Sequence, residues 1–119
     1  MVEVEVKERK SIEEGKHDGK IMDVIDRRKP ESEYEYTDYM IEMDGVTLKY
    51  GVPTPVTVDE NGNPTTKHGK VLKALGLLTK GSNPDPEKAI GMTISFVTIN
   101  EETDKGAFAR VVDGSIKKK

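Results

Sequence analysis

With 119 residues, of which 34% are hydrophobic and 34% charged, the chain has apolar side chains for one modest core and not for a layered multidomain enzyme. The absence of cysteine excludes disulfides, thiolate nucleophiles and cysteine-based metal sites, and no stretch approaches the roughly 20 apolar residues that cross a bilayer. The net charge of −3 divides unevenly, with 14 acidic and 8 basic side chains in residues 1–44 against 8 and 11 in residues 45–119, so a polyanion would have to be met by the second part.

The N-terminus alternates Glu with Val from Val2 to Val6 and lacks the basic-then-apolar pattern of a signal peptide, which points to a soluble cytoplasmic protein. Val2, Val4 and Val6 fit an extra edge strand over 2–6, a means of pairing subunits into a homo-oligomer. A long first strand is expected over 15–26, with Gly15 and Gly19 allowing it to bend. Arg27 to Ser32 then reads as a polar loop.

The clearest local signal is Asp44-Gly45 between two alternating runs. Both turn positions favour positive φ, so the pair predicts a two-residue hairpin. That loop length sets Met43 opposite Val46, Ile41 opposite Leu48 and Tyr39 opposite Tyr50, all on one face. A slip of one residue would bury Glu42 and Lys49 instead. The other face carries Met40, Glu42, Thr47 and Lys49, joined by Tyr34, Tyr36 and Asp38 if the second strand begins early.

Residues 51–64 hold three prolines and an Asn61-Gly62 turn signal, and read as a loop. Thr65 or Thr66 is placed to cap a helix running to about Leu75, with Val71, Leu72 and Leu75 on its apolar stripe and Gly76 as its stop. Lys67, Lys70 and Lys73 then fall on its solvated face. Asp85-Pro86-Glu87 starts a second short helical turn. Strands follow over 92–99 and 107–112, joined by a polar loop over 100–106, and Lys117 to Lys119 form a flexible basic tail. The expected architecture is a single domain over 1–119, mainly β: a five-stranded barrel with a helix between strands 3 and 4.

Several short motifs then fall into line: Glu14-Gly15, Gly19-Lys20-Ile21 and Asp23-Val24; Ile41-Glu42 with Asp44-Gly45; Gly69-Lys70; Ile90-Gly91; Asn100 to Thr103 with Lys105-Gly106; and Phe108 to Val112 with Ser115-Ile116. Over roughly residues 13–117 this series resembles a family of small phage-encoded proteins found among replication and recombination genes. The resemblance implies an oligonucleotide/oligosaccharide-binding (OB) barrel that binds single-stranded DNA. The chain departs from the pattern in an extra loop around Asp59 to Pro64.

Catalysis has little to stand on. His17 and His68 lie far apart, outside any metal-ligand spacing, and the adjacent carboxylate pairs, such as Glu101-Glu102, do not converge. No serine-nucleophile turn or phosphate loop is present. No catalytic residue, cofactor or metal is therefore expected.

Binding has better support, because single-strand binders combine aromatic platforms with cations that follow the backbone. The candidate nucleic-acid-binding residues are Tyr34 and Tyr36 with Lys49 on one face, Phe108 with Arg110 on the last strand, and Lys105 in the loop before it. Ala109 and Val111 make the inward pair of that strand. The expected function is sequence-independent single-stranded DNA binding in phage-type replication or recombination, alongside replication or recombination proteins. The alternative is an adaptor or assembly barrel that meets a protein partner through its acidic first part and binds no nucleic acid.

Overall fold

The computed structural model describes residues 12–28, 35–79, 81, 83–104 and 106–119. Chain order runs β1 (Gly15–Arg28), β2 (Glu35–Met43), β3 (Val46–Pro53), α1 (Lys67–Ala74), a 3-10 turn (Pro86–Ala89), β4 (Thr93–Thr103), β5 (Gly106–Val111) and β6 (Lys117–Lys118). The strands form one antiparallel six-stranded sheet in the order β3-β2-β1-β4-β5, with β6 on β4 beside β5.

Asp44 and Gly45 adopt φ of 47° and 75°, and the β2–β3 hairpin takes the predicted register, Met43↔Val46, Ile41↔Leu48 and Tyr39↔Tyr50. The inward side chains Tyr39, Ile41, Leu48, Tyr50 and Val52 are buried and meet Ile21 of β1 and Ile94 and Phe96 of β4. Each fully buried aliphatic side chain of this kind stabilises the fold by about 1.5–3 kcal/mol.

What curls the sheet is β1. Its first part, Gly15 to Lys20, pairs with β4, and its second part, Lys20 to Arg28, pairs with β2. The hand-over coincides with a bulge between Ile21 and Asp23, which leaves Met22 exposed and adds local twist. Gly19 stands at the crossing. A Cβ there would lie 2.9 Å from both the Glu42 carbonyl oxygen and Ile41 Cγ2, and 3.0 Å from Phe96 Cε1.

α1 covers one end of the core. Thr66 caps it by accepting from the Gly69 backbone N–H, and Val71, Leu72 and Leu75 are buried as their spacing predicts. It stops at Gly76, whose φ is 74°. The Gly76 and Leu77 amides donate back to the Lys73 and Leu72 carbonyls, closing the last turn. Asp85 caps the 3-10 turn by accepting from the Glu87 amide.

Four expectations need correction. The sheet is not a closed barrel: β3 and β5 approach, but among the described residues no backbone ladder joins them, because β5 ends at Val111 and the chain turns back onto β4. That return makes a sixth strand where a flexible tail was expected, with Lys117 and Lys118 opposite Ser95 and Ile94, and the Lys119 amide donating to the Thr93 carbonyl. β1 continues through Arg27 and Arg28, and β4 continues to Thr103, because neighbouring strands supply partners for residues too polar to read as strand. The proposed strand over 2–6 lies outside the described residues. Among the described residues, no helix is long and apolar enough to cross a membrane.

Candidate functional site

The outward face of β1–β2–β3 is set by the same register that builds the core. Ladder partners share a face, so Arg27 stands beside Tyr36, Tyr36 beside Pro53, Ile25 beside Asp38, Asp38 beside Gly51, and Met40 beside Lys49. Tyr36 and Lys49 therefore share the non-core face. They are not neighbours, since four residues of β2 separate their rungs, roughly 13 Å of strand.

Between them lies an arrangement that sequence reading missed. Asp38 points outward yet is buried, and it accepts from Arg27 Nε at 3.0 Å and from Arg27 Nη2 at 3.3 Å. The guanidinium carbon sits 4.9 Å from the centre of the Tyr36 ring, so one face of the phenol is occupied by a cation. A signal was available in the alternation that puts Tyr36, Asp38 and Met40 on one face. The local sequence of Arg27, at the head of a polar run to Ser32, gives no sign that it stands in a strand beside them.

A second outward patch lies on the β4–β5 hairpin. Ile99 pairs with Arg110 and Glu101 with Phe108, so these four side chains share one face. Phe108 is 40% exposed and Ile99 43%, and Arg110 Nη1 lies 3.5 Å from Glu101 Oε2. Ala109 and Val111 face inward, half-buried and buried respectively. Tyr34 and Lys105, also candidates from the sequence, lie outside the described residues.

At the β3–β5 seam the Tyr50 hydroxyl donates to Asp113 Oδ1 at 2.9 Å, and Lys67 Nζ lies 3.2 Å from Asp113 Oδ2. The Tyr50 hydrogen bond, helped by Lys67 and Arg110, holds the Asp113 carboxyl below the usual carboxylate range, while burial pushes the Tyr50 phenol upward. Beside this bridge a groove of about 420 Å³ runs between α1 and the seam, with Lys67 and Lys70 among its lining residues and Val71, Ala74 and Ile116 supplying its apolar part.

The histidines have structural surroundings. The His68 ring is buried. Its Nδ1 lies 2.8 Å from the Thr54 carbonyl oxygen, which can only accept, so Nδ1 carries the hydrogen and Nε2 accepts from the Tyr39 hydroxyl at 2.6 Å. Burial lowers the His68 pKa and, with the charge of Asp26, raises that of Tyr39. His17 Nε2 meets the Glu13 carbonyl at 2.6 Å. Among the described residues no cluster of His, Asp and Glu is arranged to hold a metal.

Across this outward surface the charges alternate. Lys20, Arg27, Lys49 and Arg110 share it with Asp23, Asp38, Glu42 and Glu101. Compared with known proteins, the chain matches no family model and no curated protein.

Proposed function

We propose that this protein binds single-stranded DNA without sequence preference, on the outward face of an OB-like curled sheet, in replication or recombination. The observation that carries the reading is Phe108, a large aromatic ring 40% exposed on a two-stranded arm, with Arg110 two residues along on the same face. A base stacked on such a ring contributes about 1–3 kcal/mol, and a cation at that spacing meets the adjoining phosphate. Tyr36 and Lys49 supply a second aromatic and a second cation on β2 and β3. Lys105, three residues before Phe108 in the sequence, is a further cation of this reading. The strand order supports the fold reading: β1 shared between β2 and β4, with a helix between β3 and β4, is the arrangement of the OB barrel, here with its β3–β5 seam bridged by side chains.

A second reading, a protein-interaction module without nucleic-acid binding, is favoured by a different observation. Arg27, Lys67, Arg110 and Lys119 each already face a carboxylate, and Met22 and Ile25 are exposed apolar side chains on β1. Fluorescence anisotropy of a labelled dT oligonucleotide, at low and moderate salt and with duplex DNA as control, separates the two. Micromolar binding to the single strand that salt weakens supports the first reading. No binding at low salt removes it and leaves the second.

A further inference from the structure

We propose that Arg27 is the anchoring cation of the β1–β2–β3 face, with Asp38 as its positioning residue, and that its guanidinium receives a phosphate of the bound single strand. The inference rests on the single-strand reading above and assigns that site a residue the sequence did not mark.

An arginine at the end of a strand ordinarily samples many rotamers, and ordering it costs entropy before any ligand is met. Here three neighbours hold it. Asp38 takes Nε and Nη2 in a fork, leaving Nη1 outside the pair. The guanidinium carbon lies over the Tyr36 ring, 4.9 Å from its centre. Gly51, opposite Asp38 on β3, makes room for the fork, since a Cβ at that position would lie 2.5 Å from Asp38 Oδ1 and 3.4 Å from Arg27 Nη2.

Stability alone does not call for this arrangement. The Asp38 side chain is 6% exposed on the outward face of a sheet, and a buried carboxylate–guanidinium pair is commonly no more stabilising than an apolar pair of similar volume. The Arg27 side chain, by contrast, remains 40% exposed. The result is a planar cation with one edge satisfied by Asp38, the Tyr36 ring packed against it and part of its surface still open to solvent, an arrangement suited to meeting a phosphate through its remaining N–H groups. A lysine at this position would keep the charge and lose the fork.

The test is anisotropy of the labelled dT oligonucleotide with wild type, R27A, R27K, D38N and D23N, from low to moderate salt, each variant checked for folding by circular dichroism. R27A and R27K should both bind about tenfold more weakly, the scale of one charge-assisted contact. R27A should also make the salt dependence shallower by about 0.7 in log–log slope, one phosphate contact on a single strand. D38N separates positioning from simple charge. It removes a negative charge near a polyanion, so charge alone predicts tighter binding, whereas loss of positioning predicts weaker binding. D23N removes an exposed carboxylate on the same face and reports the effect of charge alone.

Wild type that binds with R27A and R27K unchanged overturns the assignment of Arg27 and leaves the single-strand reading standing. D38N that tightens as much as D23N overturns the positioning role. Should D38N fail to fold, the R27A and R27K pair decides the proposal. Wild type without affinity at low salt overturns the single-strand reading and this site together.

Discussion

The Tyr50 hydroxyl donates to the Asp113 carboxylate across the seam between β3 and β5, which no backbone ladder joins among the described residues. Two residues distant by 63 positions thus do with side chains what a ladder does elsewhere in the sheet. Y50F keeps the ring in the core and removes only this bond, so it should cost about 1 kcal/mol, the net worth of one hydrogen bond. A thermal melt at neutral pH should show a midpoint lower by about 4 °C. The same bond is the first cause of the lowered Asp113 pKa, so the folded carboxyl holds its proton less tightly than the unfolded one. Its contribution is complete above the ordinary aspartate value of about 3.9 and is lost as pH falls through the folded value. The gap between wild type and Y50F should therefore narrow in strong acid. An unchanged gap at all pH values would mean that the bond does not carry the coupling.

His68 gives a second, separate pH window. Burial holds its pKa below the ordinary value of about 6.5, against the opposing pull of the Thr54 carbonyl and Asp26. The unfolded chain then binds more protons than the folded one between the two values, so stability is full above about 6.5 and falls as pH drops toward the folded pKa. Urea midpoints measured between neutral and mildly acidic pH should decline for wild type. In H68F that component of the decline should vanish, while stability at neutral pH falls by about 1–3 kcal/mol because the Tyr39 hydroxyl and the Thr54 carbonyl lose their partner. Nitrogen chemical shifts of the ring should report hydrogen on Nδ1; hydrogen on Nε2 would contradict the network.

Gly19 is a point of close backbone approach, where β1 passes from β4 to β2. G19A places a methyl group 2.9 Å from the Glu42 carbonyl oxygen, which belongs to a paired strand and cannot swing aside. The expected cost is about 1–3 kcal/mol, as for overpacking of a close-packed core. A urea midpoint equal to that of wild type would show that β2 has slack at this crossing.

How much of this was legible in the sequence depended on whether the deciding partner was near in the chain. Asp44-Gly45 carries the whole register of β2 and β3, because a two-residue turn leaves no freedom in the pairing. Thr66 and Gly76 bracket α1 for the same local reason. Arg27, Glu101 and Lys117 are residues of modest strand preference that became strand only because β2, β5 and β4 lay alongside them, and no local pattern announces that. The Arg27–Asp38 pair was hidden by that step. With Arg27 in the polar loop that its neighbours suggest, nothing in the sequence sets a cation beside Asp38. Phe108 and Arg110 were readable as an outward pair because strict alternation with Ala109 and Val111 left them one face.

Phe108 is where the functional reading is most exposed to test. At 40% exposure the ring contributes little to the core, so F108A should lower the melting midpoint by no more than a few degrees. If bases stack on it, the same substitution should weaken binding of the labelled dT oligonucleotide by about 1–3 kcal/mol, roughly five- to 150-fold. F108Y and F108W, which keep an aromatic face, should bind close to wild type, while F108L, apolar without a ring system, should not. R110A should act differently: it removes a charge, so it should flatten the salt dependence by about 0.7 in slope where F108A leaves the slope unchanged. Binding that survives F108A undiminished, with the melt unchanged, would move the contact surface away from the β4–β5 arm.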